Sequence, residues 1–278
     1  MKEHFSSGWA NCLDESMMVW LNEYAPGFMY VPRKPHPFGN EWHSICCCAS
    51  GIMFAVELVE GKDAPRELGP KRFEELGKTV GLLLRLTESL WGTAKTVILD
   101  SGFCVLKGIV ELKKKGVYAS ALIKKRKYWP KHIRGDDIKK HFEDKEIGAA
   151  DAWQGEMEGV PFHVFGMKDT DYVMSLMSTY GTLNDTNCRE SARDYKEGQE
   201  KWRKVFRYTE VIDNHYKFRH SVDDHNGLRH FPISFKESWA TKLWPTRVFA
   251  FLLAITEVNV KLAAAHFYGE TFASMIKF

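Results

Sequence analysis

Apolar and polar positions change rhythm several times along the chain, and each change marks an element. Residues 11–20 hold a short apolar segment around Leu13-Asp14-Glu15-Ser16, in which residues 13–18 read as a first strand. A loop rich in Pro and Gly follows over residues 26–40. Residues 41–49 and 52–59 then read as a hairpin turning at Ser50-Gly51. Phe73, Leu76, Val80, Leu83 and Leu84 recur at helical spacing, with Pro70 near the first turn of that helix.

Residues 96–99 form a β-branched run that reads as a short buried strand ending at Asp100. A helix is expected over 103–115, stopped by Gly116, and a strand over 117–123. Two more strands are predicted at 162–165 and 172–178, and the polar stretch 184–204 reads as an excursion from the core. The last quarter is helical, most clearly over 243–265. Strands followed by alternating strands and helices predict one α/β layer fold.

Composition narrows the class. With 44% hydrophobic and 27% charged residues in 278, the chain can bury a real core, which excludes a disordered or collagen-like polymer. The longest apolar stretch, 248–265, carries Glu257 and Lys261 and does not read as an uncharged membrane span. Met1 runs straight into Lys2 and Glu3, with no signal peptide, so a soluble, unsecreted protein without a membrane partner is expected. Cys12, Cys46, Cys47, Cys48, Cys104 and Cys188 lack the two-residue gap of a zinc knuckle, and three consecutive cysteines on a strand point to alternate faces. They read as small buried hydrophobes in a reducing compartment.

The net charge of +3 hides an asymmetry. Residues 107–145 hold 13 Lys or Arg against 5 Asp or Glu, so this block carries +8 and the rest of the chain −5. Such a block suits a polyanion, nucleic acid above all, and equally suits a solvated helix face. Asp100 ends a strand ahead of Ser101-Gly102-Phe103, where α/β sheets place ligands and where a helix cap also belongs. Asp223, within His220-Ser221-Val222-Asp223-Asp224-His225-Asn226, is a second candidate, and converging acids of this kind can hold Mg²⁺. His215, His220, His225 and His230 recur every five residues, which on a helix spreads them over different faces. They read as polar surface, with His220 and His225 close enough to Asp223 in sequence to meet a phosphate.

Several short segments occur in a telling order. They are Leu13-Asp14-Glu15-Ser16-Met17, Val31-Pro32-Arg33-Lys34-Pro35, Val97-Ile98-Leu99-Asp100-Ser101-Gly102-Phe103 and Leu112-Lys113-Lys114-Lys115-Gly116-Val117-Tyr118. Ile123-Lys124-Lys125, Val222-Asp223-Asp224, Leu243-Trp244-Pro245, Leu252-Leu253 and Glu257-Val258-Asn259 follow. Taken together, over residues 11–266, they resemble the catalytic domain of piggyBac-type transposases and the host proteins derived from them. The resemblance implies an α/β fold: a ribonuclease H-like transposase core with an inserted segment and a helical C-terminal part. It implies one domain over 1–278, its core at 11–266 and the insertion at 124–204.

The function it implies is metal-dependent DNA strand cleavage and transfer by three aspartates and two divalent ions, Mg²⁺ or Mn²⁺, in the nucleus. DNA is the expected partner and a homodimer the candidate assembly. The alternative is a domesticated or decayed relative that binds DNA or a protein partner without catalysis. Asp100 matches the family's first aspartate and Asp223 its third, so both are expected to hold metal. Where the second belongs, after residues 173–178, stand Thr179-Tyr180-Gly181, with no acid until Asp185, and Asn226 replaces a further acid three residues past the third. Ribonuclease H topology offers Asp14 instead of Asp185 to complete the set. Six scattered cysteines do not make the zinc module that members carry, so end-specific recognition is not expected. The DNA-binding candidates are Lys124, Lys125, Arg126, Lys127, Lys131 and Arg134, interleaved with Tyr128 and Trp129, together with Lys242 and Arg247 beside Trp244.

Overall fold

In the computed structural model, residues 5–32, 34, 36–61, 71–197, 200–230, 241 and 243–269 are described. They fall into two compact units, one formed by Met1–Lys71 with His220–Phe278, the other by Arg72–Arg219.

The first unit is built on β1 (Ala10–Val19) and β3 (Phe38–Cys47), antiparallel, with Leu13 opposite Ile45 and Asp14 opposite Ser44. The other edge of β3 pairs with β2 (Phe28–Tyr30) near its start and with β4 (Met53–Leu58) further on. The β3–β4 hairpin turns where the sequence predicts, with Gly51 at φ +73° and its N–H donating to Cys47 O at 2.8 Å. The short β2 falls inside the stretch expected to be loop.

Two helices cover one face of this sheet, α5 (Ser221–Arg229) and a 25-residue C-terminal helix, here numbered α6 (Trp244–Tyr268). Cys12, Met18, Trp42, Cys46 and Met53 pack against Val222, Phe251 and Ile255, and the Trp42 and Phe251 rings stack at 5.0 Å. Cys12, Cys46, Cys47 and Cys104 are buried free thiols, as expected of small core residues, whereas Cys48 and Cys188 are only partly covered. By length and composition α6 could cross a membrane. A core helix passes the same test, and α6 buries Ala250, Phe251, Ala254, Ile255 and Val258 along one stripe.

The second unit carries a mixed sheet. β5 (Thr96–Leu99) lies parallel to β6 (Tyr118–Leu122), with α2 (Leu106–Lys114) in the connection between them. Antiparallel pairings then join β6 to β9 (Val173–Ser178), β9 to β8 (Val160–Lys168) and β8 to β7 (Ala150–Met157). The expected helix around residues 73–84 starts late. Phe73 and Gly77 take positive φ of 65° and 109°, leaving a short 3₁₀ turn before α1 (Lys78–Leu86). Likewise the helix expected from Phe103 begins at Leu106, after a single 3₁₀ turn at Ser101–Phe103.

The polar excursion is a separate two-stranded ribbon, β10 (Glu190–Glu197) with β11 (Glu200–Arg207). Helix α4 (Glu210–Phe218) buries Val211 and Ile212 against Phe165, Met167, Met174 and Leu176. A mixed sheet with flanking helices and a helical C-terminal part is the α/β architecture the sequence implies.

Candidate nucleic-acid interface

Parallel pairing of β5 and β6 brings their carboxyl ends to one edge of the second unit. Asp100 follows β5 at that edge, and Ile123-Lys124 follows β6. The strand β5 is buried along its whole length, so Asp100 is the first side chain free to leave the core. It caps the 3₁₀ turn: Oδ2 accepts from Gly102 N at 3.2 Å and from Ser101 Oγ at 3.4 Å. Burial pushes the Asp100 carboxyl up, but the Ser101 and Gly102 donors and the Lys124 ammonium outweigh it and hold the group below the usual carboxylate range. The result is an ionised oxygen pair beside the start of the basic loop.

That loop is open to solvent on its charged side. Lys124, Lys125, Arg126, Lys127, Lys131 and Arg134 are exposed, while Pro130 and Ile133 are buried and anchor it. Lys125 and Lys127 place their ammonium groups 6.0 and 5.1 Å from the Tyr128 ring centre. Arg126 meets Asp136 at 3.5 Å, and Arg134 forks onto Asp137 at 2.8 and 3.1 Å. Exposed pairs of this kind contribute about 0–1 kcal/mol, so a phosphate can displace the carboxylate at little cost. The helix that follows, α3 (Gly135–His141), adds exposed Lys139 and Lys140.

The corner after β9 holds no acid. Gly181 sits at φ +88°, and a Cβ there would lie 2.9 Å from Val211 Cβ. The neighbouring Thr182 is occupied by Glu210, whose Oε2 accepts from Thr182 N at 3.0 Å and from its hydroxyl at 2.7 Å. Asp185 is exposed and shares the electrostatic surroundings of Cys188 and Arg207, at the foot of the β10–β11 ribbon.

In the first unit, Asp14 and Ser16 lie on the same face of β1, and α5 packs on that face through Asn226. Ser16 Oγ donates to Asn226 Oδ1 at 2.9 Å, and Asn226 Nδ2 to Glu15 O at 3.4 Å. Asp14 is half-buried, and its Oδ1 accepts from Glu15 N at 2.7 Å. Asp223 is exposed in the first turn of α5, its Oδ2 3.9 Å from His220 Nδ1.

His225 corrects the sequence reading. It is 1% exposed rather than surface, as His215 of α4 is at 2%, and His225 Nε2 donates to Asn259 Oδ1 at 3.2 Å. Burial, helped by the nearby Arg229 charge, pushes it down to about 3, so the ring is neutral at physiological pH and is no phosphate ligand. Arg247 is partly covered, and its Nε donates to Val19 O at 3.0 Å, which ties α6 to the end of β1. Trp244 Nε1 donates to Asn40 Oδ1 at 3.3 Å in the same region. Lys242 lies outside the described residues.

As an oxygen donor, the Asp100 carboxylate suits a hard divalent cation and is held in the charged form such an ion needs. Among the described residues, no group of three or more His, Cys, Asp or Glu side chains forms a ready cage. Mg²⁺ does not require one, since it keeps several waters and leans on substrate phosphates.

Comparison with known proteins agrees with this architecture. A family model described as Transposase IS4 matches residues 1–260. A search of curated proteins finds no match. Among solved structures, the piggyBac transposase in its synaptic complex with hairpin DNA superposes on 98% of this chain with a TM-score of 0.71 at 14% identity. The chain spans about half the length of that transposase, 51%. At that identity the likeness speaks for the fold, while the family model covers nearly the whole sequence. The chain therefore belongs to the IS4 transposase family, with the fold of a piggyBac-type transposase domain.

Proposed function

We propose that this domain cleaves and transfers DNA strands in the nucleus with the help of divalent metal, Mg²⁺ or Mn²⁺. The observation that carries the reading is Asp100, ionised at the carboxyl edge of β5 with Lys124 beside it. A DNA phosphate drawn to the loop from Lys124 to Arg134 arrives next to a carboxylate that stays charged at neutral pH. Paired divalent ions, when bound at such a place, stabilise both the attacking and the leaving oxygen of an in-line phosphoryl transfer. The protein's own share is to hold the DNA by its phosphates, to keep Asp100 deprotonated through the Ser101 and Gly102 donors, and to fix that carboxylate on a buried strand. In this reading Asp100 and Asp223 hold metal, and Asp14 and Asp185 compete for the remaining place.

The test is nicking of supercoiled DNA by the 278-residue chain in Mg²⁺ or Mn²⁺. Activity is expected in the parent and loss of it in Asp100→Asn and Asp223→Asn. Asp14→Ala and Asp185→Ala then show which acid completes the set. Cutting that survives Asp100→Asn overturns the assignment. DNA binding has its own readout: neutralising Lys124, Lys125, Arg126 and Lys127 should lower the log–log salt slope by about 0.9 for each phosphate no longer paired with a cation. An unchanged slope returns the loop to solvent.

A second reading, binding without cutting, rests on the Gly181 corner. Its left-handed backbone and the nearby Val211 leave no room for the family's second carboxylate. Tight, salt-dependent binding with no nicking in either metal is the outcome that selects it.

A further inference from the structure

Two runs of basic residues lie in the second unit, and the fold treats them differently. Lys113, Lys114 and Lys115 close α2, and each already has a neighbour for its charge. The Lys113 ammonium lies 3.5 Å over the Tyr118 ring and that of Lys115 4.8 Å over Trp91, while Lys114 meets Glu111 at 2.8 Å and also Glu158. Lys124, Lys125, Arg126 and Lys127 are instead all exposed, one after another. Among the described residues they make one ion pair, Arg126 to Asp136 at 3.5 Å, between side chains that are 95% and 76% exposed. Four adjacent cations are thus held out to solvent, where a partner can take them at little cost.

The backbone of the second run matters as much as its charge. Ile123 N donates to Ser175 O at 2.9 Å, which fixes the chain as it leaves β6, and buried Pro130 and Ile133 fasten it again further on. Lys125 is extended, at φ −110° and ψ 138°. A single 3₁₀ turn, Arg126–Tyr128, follows, closed by Tyr128 N to Lys125 O at 3.0 Å and Trp129 N to Arg126 O at 3.3 Å. Opening it exchanges two backbone hydrogen bonds for others and disturbs no core, since none of its three residues is buried. Once the segment is drawn out, successive side chains point to opposite sides. A duplex lying along one side then meets only alternate cations. A partner that takes all four must enclose the segment in a groove, with carboxylates on both walls and apolar faces for the long Lys stems.

We infer that residues 124–127 dock, as an extended peptide, in the acidic groove of a nuclear import receptor, and that receptor and DNA exclude one another on this loop. Short Lys- and Arg-rich runs serve as nuclear-import addresses as well as nucleic-acid contacts, and an address must be exposed and able to extend. The inference rests on the proposed function only in placing the protein in the nucleus and DNA at this loop; it holds whether or not the domain cuts. It gives the loop two tasks in sequence. While the receptor covers the four cations the chain cannot grip phosphates with them, and release uncovers them.

The experiment measures, by fluorescence anisotropy, binding of the full chain to a purified import adaptor that reads short basic peptides, in parallel with binding to a short DNA duplex. Two charge-matched variants separate an address from general attraction. Lys125→Gln with Lys127→Gln should weaken adaptor binding by about tenfold or more, whereas Lys114→Gln with Lys115→Gln should leave it within about twofold. Adding adaptor should displace the duplex from the parent chain. Equal weakening by both pairs, or no adaptor binding by the parent, overturns the inference and leaves the DNA reading to its own assay. A ternary complex of chain, adaptor and duplex, or a parent chain that ignores the duplex, overturns the exclusion. In cells, the full chain carrying a fluorescent reporter should accumulate in the nucleus and lose that accumulation in Lys125→Gln with Lys127→Gln. Accumulation that persists in this variant overturns the address and leaves the nuclear reading intact. Exclusion of the parent chain from the nucleus removes both.

Discussion

Each unit covers an arginine, partly in one and fully in the other, and they accommodate it by different means. In the second unit, Arg193 of β10 forks onto Asp169, just past the end of β8, with Nε 2.9 Å from Oδ1 and Nη2 3.1 Å from Oδ2. Its remaining N–H groups reach Ser191 Oγ at 2.8 Å and Tyr208 OH at 3.3 Å. In the first unit, Arg229 of α5 is 0% exposed and, among the described residues, is paired with no carboxylate. Its Nη2 donates to Asn226 Oδ1, its guanidinium lies 4.4 Å over the Phe251 ring, and Nε and Nη1 find no acceptor among the described residues.

Burial raises the Asp169 carboxyl, yet Arg193 and the Thr170 N–H bring it below the ordinary range. Burial pushes Arg229 down to about 10 with little to oppose it. One arginine clamps a ribbon through a counter-ion. The other is tolerated by a ring and an amide. The same side chain therefore contributes to stability in one place and is carried as a cost in the other.

Breaking the clamp should have the largest effect. Asp169→Ala strands Arg193, which is 28% exposed, so water softens a penalty that a sealed site would feel in full. A loss of about 2–3 kcal/mol at pH 7 is expected in thermal unfolding, with faster hydrogen exchange in β10 and β11. Because the folded carboxyl is depressed, its contribution is complete above the unfolded value near 4 and disappears as pH falls through the folded one. Parent and variant should then converge in strong acid. A variant as stable as the parent at pH 7 would mean the ribbon is held by packing alone.

Installing a charge without a partner sharpens the contrast. Gly181→Asp restores the acid that the family pattern leads one to expect, but it must adopt φ +88° with its Cβ against Val211. Strain of about 1–2 kcal/mol follows from the left-handed backbone alone, before the clash is relieved. A drop of about 2 kcal/mol without any gain in nicking is expected. More cutting with unchanged stability would show that the corner opens readily.

Much of the fold was legible because burial leaves a plain mark on sequence. The run Thr96-Val97-Ile98-Leu99 is buried at every position, and its bounds in the structure are those read from the sequence. Strand β7 was missed because it is mostly half-exposed, so nothing forces its side chains to alternate cleanly. The start of α1 was misplaced because Phe73 gives no sign that it is left-handed. The site divides in the same way. Asp100 stands out, being a lone acid at the end of an apolar run. Tyr172, Tyr216 and Arg219 join Trp129 in one pocket at the end of β6 only through the pairing of β6 with β9 and the packing of α4, which no local pattern announces. His225 and Arg229 sit in a polar stretch that looks solvated until α6 covers it.

Acid provides a way to separate the units. His225 is held down to about 3, against an unfolded value near 6.5, so the unfolded chain gains a proton that the folded first unit refuses. Stability should be complete above about pH 6.5 and fall as pH drops toward the folded value, by on the order of 2 kcal/mol at pH 5. Asp169 is still ionised there, so the clamp it makes with Arg193 should be indifferent over the same window. Hydrogen exchange at pH 7 and pH 5 resolves the two by region. His225→Gln should flatten the first unit's response, and an equal loss in β10 would end the distinction.

The smallest effects fall on Arg229, and their sign matters more than their size. Replacing it with Met removes a desolvated charge and two donors without acceptors, while giving up one bond to Asn226 and the stacking on Phe251. Asn226 Oδ1 keeps the Ser16 hydroxyl, so no acceptor is orphaned. The terms nearly cancel, and Arg229→Met should stay within about 1 kcal/mol of the parent, on the stabilising side. Asn226→Asp acts from the opposite direction, placing a carboxylate where the amide oxygen now meets Arg229 and Ser16, and should add about 1 kcal/mol at pH 7. Combining the two must then be worse than either alone, because the new carboxylate would be left without its guanidinium. That non-additivity, measured as a double-mutant cycle in thermal unfolding, separates an arginine lacking a counter-ion from one already satisfied. A loss of about 3 kcal/mol in Arg229→Met, as for a buried pair broken by removing one partner, would place Arg229 with Arg193 and dissolve the contrast.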